Sequence, residues 1–101
     1  AIVDYNGGQI DGPVSEVLDL EPLADKIRAF NWRTIVIDGH DFAAIEAAFA
    51  EVAKPDGRPV AIVAKTKTGK GVSFMEHPYE WHGKAPNKEE AARALQELSH
   101  G

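Results

Sequence analysis

Asp4-Tyr5-Asn6-Gly7-Gly8 sets a side-chain amide and nearly bare backbone directly after the apolar run Ala1-Ile2-Val3. An amide oxygen and a backbone carbonyl are hard, neutral donors, suited to a magnesium ion that also holds phosphate oxygens. Such a site still needs a carboxylate from elsewhere. The same residues also describe an Asn-Gly turn in which Asn6 bonds only its own backbone. A second run, Lys65-Thr66-Lys67-Thr68-Gly69-Lys70-Gly71, follows the apolar Val60-Ala61-Ile62-Val63-Ala64. It is not a P-loop, because Ala64 stands where the first glycine belongs and Gly71 replaces the Ser or Thr. Its lysines suit an anion at a strand end, and equally a solvated charged turn.

Glu80-Trp81-His82-Gly83 puts an imidazole between a large ring and a glycine. Such an imidazole hydrogen-bonds a phosphate or a sugar hydroxyl, or carries a proton near neutral pH. The bland alternative is a half-buried histidine packed on Trp81. His77 and His82 fit no common zinc spacing. His40 is expected to stabilise the turn before a helix, and His100 is given no role. Glu46, Glu51 and the acids of the last helix are expected on solvated faces. No paired carboxylates stand out, nothing suggests a serine nucleophile, and a chain without cysteine has neither a thiolate site nor a disulfide.

The elements that must position these residues follow from pattern. Ala1-Ile2-Val3-Asp4 reads as a buried strand that starts at the first residue, without the usual polar lead-in. This favours an upstream part outside the chain. Residues 6–13 are dense in turn formers and are expected as a loop. Pro22 opens a helix with Leu23, Ile27 and Phe30 on one face. Thr34-Ile35-Val36-Ile37 reads as a strand buried between layers. Asp41 caps a second helix with the stripe Phe42, Ile45, Phe49 and Val52, which Lys54-Pro55-Asp56-Gly57 ends. Val60 to Ala64 is a third buried strand. Asn87 caps the last helix, with Glu90 placed for a capping box and Ala91, Ala94, Leu95 and Leu98 facing inward.

Strand, helix, strand, helix, strand, long loop, helix implies an α/β fold. The expectation is a three-layer arrangement, a parallel sheet with helices on both faces joined by right-handed crossovers. Ligands of such sheets bind beyond the carboxyl ends of the strands. Residues 6–12, 38–41 and 65–71 follow those ends, and residues 72–86 add a loop too long for a simple connection. Hydrophobic residues at 44% and charged residues at 27% describe a globular rather than a disordered chain. A net charge of −5 argues against nucleic acid or an acidic membrane surface as the main partner. No apolar run reaches membrane-spanning length and no signal peptide opens the chain, so cytoplasm is the default.

Taken in order, Asp4 to Gly12, Ile37-Asp38-Gly39-His40-Asp41, Ala64-Lys65-Thr66 with Gly69-Lys70-Gly71, and Trp81-His82-Gly83-Lys84-Ala85-Pro86 strongly resemble the transketolase family. The resemblance covers nearly the whole chain. It corresponds to the C-terminal part of the family's diphosphate-binding domain, as residues 1–101, and is nearest the N-terminal subunit of split bacterial forms. It implies a partial thiamine-diphosphate-binding fold with thiamine diphosphate and Mg2+ as cofactors. Asn6 then matches the residue that binds the metal and the diphosphate, and Gly8 the backbone carbonyl on the metal. Ile10 matches the apolar residue beside the cofactor, and His82 the loop histidine that contacts diphosphate and substrate. Lys84 follows in the same loop.

Two departures stand out. Some relatives use a lysine where this chain has Thr68, so that Lys67 is the candidate to compensate. The family's upstream Gly-Asp-Gly signature, which supplies a metal carboxylate, is absent here. The glutamate that activates the cofactor lies in a separate pyrimidine-binding, C-terminal subunit or domain. The implied reaction of a complete enzyme is transfer of a two-carbon ketol unit between sugar phosphates, in a homo- or hetero-oligomer, with this chain alone inactive. Alternatives are another enzyme of the cofactor superfamily, such as deoxyxylulose-phosphate synthase, or a non-catalytic assembly or binding module that kept the fold.

Overall fold

The computed structural model describes residues 1–77 and 80–99. Along them run β1 (Ile2–Tyr5), β2 (Gly8–Gln9), β3 (Gly12–Pro13), α1 (Val14–Val17), α2 (Leu23–Ala29), β4 (Arg33–Asp38), α3 (Phe42–Val52), β5 (Val60–Lys65) and α4 (Lys88–Leu98). They form two units. One is Ala1–Tyr5 with Asp19–Thr66, and the other is Asn6–Leu18 with the residues from Lys67 onward.

The first unit is built on a parallel sheet in the order β1-β5-β4. The strand that is apolar at five successive positions takes the centre, because only a central strand covered on both faces buries both sets of side chains. Ala61, Ile62, Val63 and Ala64 are accordingly buried, with Ile62 only 4% exposed. Side chains alternate between faces along a strand. On one face, Leu23 and Ala24 of α2 line a small cavity with Val36 and Val63. On the other, Arg33 reaches across to donate to the carbonyl of Glu51 at the end of α3, at 2.6 Å. Helices therefore cover both faces, as the three-layer expectation requires. Asp41 caps α3 by accepting from the N–H groups of Ala43 and Ala44 at 2.9 and 3.2 Å.

The second unit holds a two-stranded antiparallel ribbon, β2 with β3, the short helix α1 and the longer α4. Asn87 caps α4 through the amides of Glu89 and Glu90, both at 2.9 Å, and the Glu90 carboxylate answers by accepting from Asn87 N at 2.8 Å. The capping box is as the sequence predicts. Val72 and Ala94 are buried here. No described helix is long and apolar enough to cross a membrane.

Several expectations need correction. Residues 6–13 are not simply a loop, for they contain β2 and β3 and lead into α1; pairs of two residues are too short to leave a periodic signal. Phe30 is 80% exposed and Phe42 82% exposed, and Phe49, Leu95 and Leu98 are also exposed rather than turned inward. In α3 nearly every position is apolar, so periodicity alone does not select a face. The small Ala48 makes the close contact and the phenylalanines stay outside. β1 and β4 are edge strands, and Ile2 and Val36 are exposed instead of buried between layers. His100 lies outside the described residues, as do Pro78 and Tyr79 of the long loop.

Truncating the centre of the sheet is the direct test of this core. Ile62→Ala is expected to cost about 2–5 kcal/mol by urea unfolding. Ile2→Ala, on the exposed part of an edge strand, is expected to cost less than about 1 kcal/mol.

Candidate functional site

The carboxyl ends of the three parallel strands are level: Tyr5 and Asp38 are both in register with Lys65. One residue beyond, Thr66 joins them. Its hydroxyl donates to the Asp4 carboxylate, its N–H donates to Tyr5 O at 3.2 Å, and Gly39 N donates to Lys65 O at 2.7 Å. A Cβ on Gly39 would lie 2.5 Å from Thr66 Cγ2 and 3.1 Å from Lys65 O, so the Asp-Gly step after β4 requires glycine. His40 lies in the turn as expected, and its backbone N–H donates to Asp38 Oδ1 at 2.9 Å. The larger cavity of this unit, about 240 Å3 and lined by Val3, Ile27, Phe30, Trp32 and Ala61, sits at the amino ends of the strands. The motif loops leave from the opposite end.

Asn6 begins the first of these loops and is half-buried. Its Oδ1 accepts from Gly8 N at 3.0 Å, while Gly7 O accepts from Val14 N at 3.0 Å. Gly7 sits at φ +76, a conformation a side chain resists. The Asn-Gly turn is thus real, and it aims an amide oxygen that keeps a second lone pair. Ile10 is exposed at the tip between β2 and β3. The Gln9 side-chain nitrogen is enclosed and has no acceptor among the described residues. The described residues hold no group of three or more His, Cys, Asp or Glu that could bind a metal. An oriented amide oxygen and the Gly8 carbonyl suit Mg2+, but both are neutral, so the charge must come from phosphate oxygens and from a carboxylate that this cluster does not supply.

The lysine loop is closed by a glutamate. Glu76 Oε2 accepts from Lys67 Nζ at 2.8 Å, and Oε1 accepts from Gly71 N at 3.2 Å. Gly69 at φ +68 and Gly71 at φ +92 let the chain double back. The fit at Gly69 is tight: a Cβ there would lie 2.2 Å from Met75 O.

His82 follows on a loop pinned at both sides. Trp81 Nε1 donates to Phe74 O at 2.9 Å, and the two rings meet edge to face at 5.6 Å. Lys84 Nζ lies 4.1 Å from the centre of the Trp81 ring and 3.1 Å from Glu90 Oε1. The cation on the indole is therefore Lys84, and the His82 side chain is exposed rather than half-buried against Trp81. Ser73 donates its N–H and hydroxyl to Glu97, which also pairs with Arg93. Asn6, Gly8, Ile10, Lys67 and His82 all belong to the second unit.

Residues 1–100 match the family model described as transketolase, thiamine diphosphate binding domain. The chain belongs to the transketolase family. It is 41% identical over 98 residues to the 6-deoxy-6-sulfo-D-fructose transketolase subunit SqwG of Clostridium sp. (strain MSTE9), covering 97% of this chain and 36% of that protein. It is 34% identical over 99 residues to an apulose-4-phosphate transketolase subunit of Phocaeicola vulgatus, covering 98% of this chain and 35% of that protein. A crystal structure of the transketolase from Campylobacter jejuni subsp. jejuni superposes with a TM-score of 0.72 at 28% identity, over 97% of this chain and 15% of the other. The chain thus spans about a third of the subunit relatives' length.

Sequence reasoning missed most of the bonds by which carboxylates hold this chain's loops. Glu90, expected in the capping box, also holds Lys84, and Glu97, expected on a solvated face, holds Ser73; a glutamate's partner across a loop leaves no local pattern. Lys67 first, and then the Gly71 amide, hold Glu76 below the usual carboxylate pKa. The Asn87 amide first, with Lys84, does the same for Glu90, and the Ser73 amide for Glu97. A carboxylate whose pKa is lower folded than unfolded stabilises above its unfolded pKa and loses that contribution as pH falls through the folded value. The amides of residues 69–73 and 87–90 are therefore expected to lose exchange protection as pH drops through and below the ordinary glutamate range. Glu97→Gln should flatten that dependence near Ser73, as followed by two-dimensional NMR. Gly69→Ala is expected to disrupt the loop by about 1–3 kcal/mol, since it combines a left-handed backbone with a backbone clash.

Proposed function

We propose that this chain is the C-terminal part of the diphosphate-binding domain of a transketolase. In the complete enzyme it serves transfer of a two-carbon ketol unit between a ketose and an aldose phosphate, in the cytoplasm. The observation that carries this reading is the Asn6 turn, an amide oxygen held by Gly8 N one residue beyond a strand end, within a family match over residues 1–100. Thiamine diphosphate, when bound, supplies the carbanion chemistry, and Mg2+ neutralises its diphosphate. Asn6 and the Gly8 carbonyl would hold the metal, Ile10 would offer apolar surface beside the cofactor, and the lysine loop that contains Lys67 would lend positive charge. His82 is the candidate catalytic residue: an exposed imidazole between the pinned Trp81 and Lys84 can donate to a phosphate or a substrate hydroxyl. Lys84 and Glu90 fix the loop on which it rides.

The remaining metal carboxylate and the cofactor-activating glutamate come, in this reading, from an upstream Gly-Asp-Gly segment and from a pyrimidine-binding subunit or domain. The names of two relatives, each a transketolase subunit, support a hetero-oligomeric partner. The chain alone is then inactive. Calorimetric titration with thiamine diphosphate and magnesium tests this. Binding is expected to be negligible for the 101-residue chain and measurable for the same chain carried in a protein that extends upstream through a Gly-Asp-Gly signature. Binding by neither would leave shared ancestry and an assembly module in place of the enzyme.

A further inference from the structure

The lysine loop and the histidine loop carry several cations, and the structure distributes their partners unequally. Lys67 is held by Glu76 at 2.8 Å and Lys84 by Glu90 at 3.1 Å. Lys70 is exposed and its side chain makes no hydrogen bond or ion pair among the described residues. It stands between Gly69 and Gly71, both in the left-handed region, at the point where the loop reverses. Its charge also acts on Glu76 from a distance, adding to the effect of Lys67. One carboxylate therefore faces two ammonium groups, and it is committed to one of them.

We propose that Lys70, rather than Lys67, is the cation of this loop that meets the cofactor's diphosphate, and that Glu76 decides the matter by occupying Lys67. An ammonium already paired must give up its carboxylate before it serves an anion, whereas an unpaired one only sheds water. Glu76 also accepts from Gly71 N, next to Lys70. The same side chain that removes Lys67 thus fixes the backbone carrying Lys70. Thr68, which stands where some relatives carry lysine, leaves that role open. This assignment rests on the cofactor reading above.

Titration with inorganic pyrophosphate and magnesium of the isotope-labelled protein that extends upstream through the Gly-Asp-Gly signature, followed by amide shifts, separates the two ideas. The amides of residues 69–71 are expected to move together with those of residues 6–10. Lys70→Gln should weaken the response about two- to fivefold, the scale of one exposed charge pair, with Lys70→Arg restoring it. Lys67→Gln should matter less than Lys70→Gln in the natural sequence. Ribose 5-phosphate, run beside pyrophosphate, should shift residues 69–71 less. A larger loss from Lys67→Gln than from Lys70→Gln would overturn the assignment, as would a stronger response to the sugar phosphate. Shifts at residues 6–10 without any at 69–71 would sink the Lys70 role and leave the cofactor reading standing. Silence at both places would remove both.

Discussion

The contact on which the candidate site depends most is the one Thr66 makes at the carboxyl end of the sheet. Its hydroxyl bonds the Asp4 carboxylate while its methyl fills the space that a side chain on Gly39 would need. Three strand ends are tied by one small β-branched residue. A parallel sheet gives no hairpin to set the relative position of neighbouring strands. The level register of Tyr5, Asp38 and Lys65 is therefore guarded by side-chain contacts just past the last ladder bond. This explains why three separated motifs, Asp-Tyr-Asn, Asp-Gly-His and Lys-Thr, all carry a small or hydrogen-bonding residue at the same level. Those residues set where the loops start, and the loops carry the chemistry.

Beyond that level the organising force changes from apolar packing to charge. Among the described residues of the second unit little is buried, Val72 and Ala94 being its buried hydrophobic side chains. Glu76, Glu90 and Glu97 do the fastening instead, each accepting a backbone N–H and each holding a cationic side chain. A carboxylate that takes a backbone donor and an ammonium or guanidinium together fixes loop shape with two directional bonds. Exposed pairs of this kind contribute little energy singly. They suit loops that must be shaped without being made rigid. They also make the loops' geometry sensitive to pH, which apolar packing would not.

What was legible in the sequence divides along the same line. Val60 to Ala64 announced a central strand because every residue is small or β-branched and apolar. Asn87 with Glu90 announced a capping box because its two bonds span three residues. Helix faces were less readable. Phe42 and Phe49 lie outside because Ala48 packs closer, and a helix apolar at most positions offers no preferred stripe. The partners of Glu76 and Glu97 were invisible for another reason. Glu97 meets Ser73 across 24 residues of chain, and nothing local to either residue predicts that closure. Motif resemblance singled out Asn6, Gly8, Ile10 and His82 as candidates, but it passed over the bonds by which Glu76, Glu90 and Glu97 shape the lysine and histidine loops.

The two readings that Asn6 invites are not rivals. A free asparagine side chain rotates, and a metal ligand that must first be immobilised carries an entropic cost. The bond from Gly8 N removes that freedom in advance and leaves one lone pair of the same oxygen unused. The bond also explains the glycines. Gly7 takes the left-handed backbone that closes the turn, and its carbonyl anchors Val14 beyond the ribbon. An Asn-Gly turn that satisfied only itself would end there. Here the turn begins one residue past a guarded strand end, which is where a parallel sheet presents its ligand-binding edge. The local bond and the proposed ligand role are therefore compatible in one geometry.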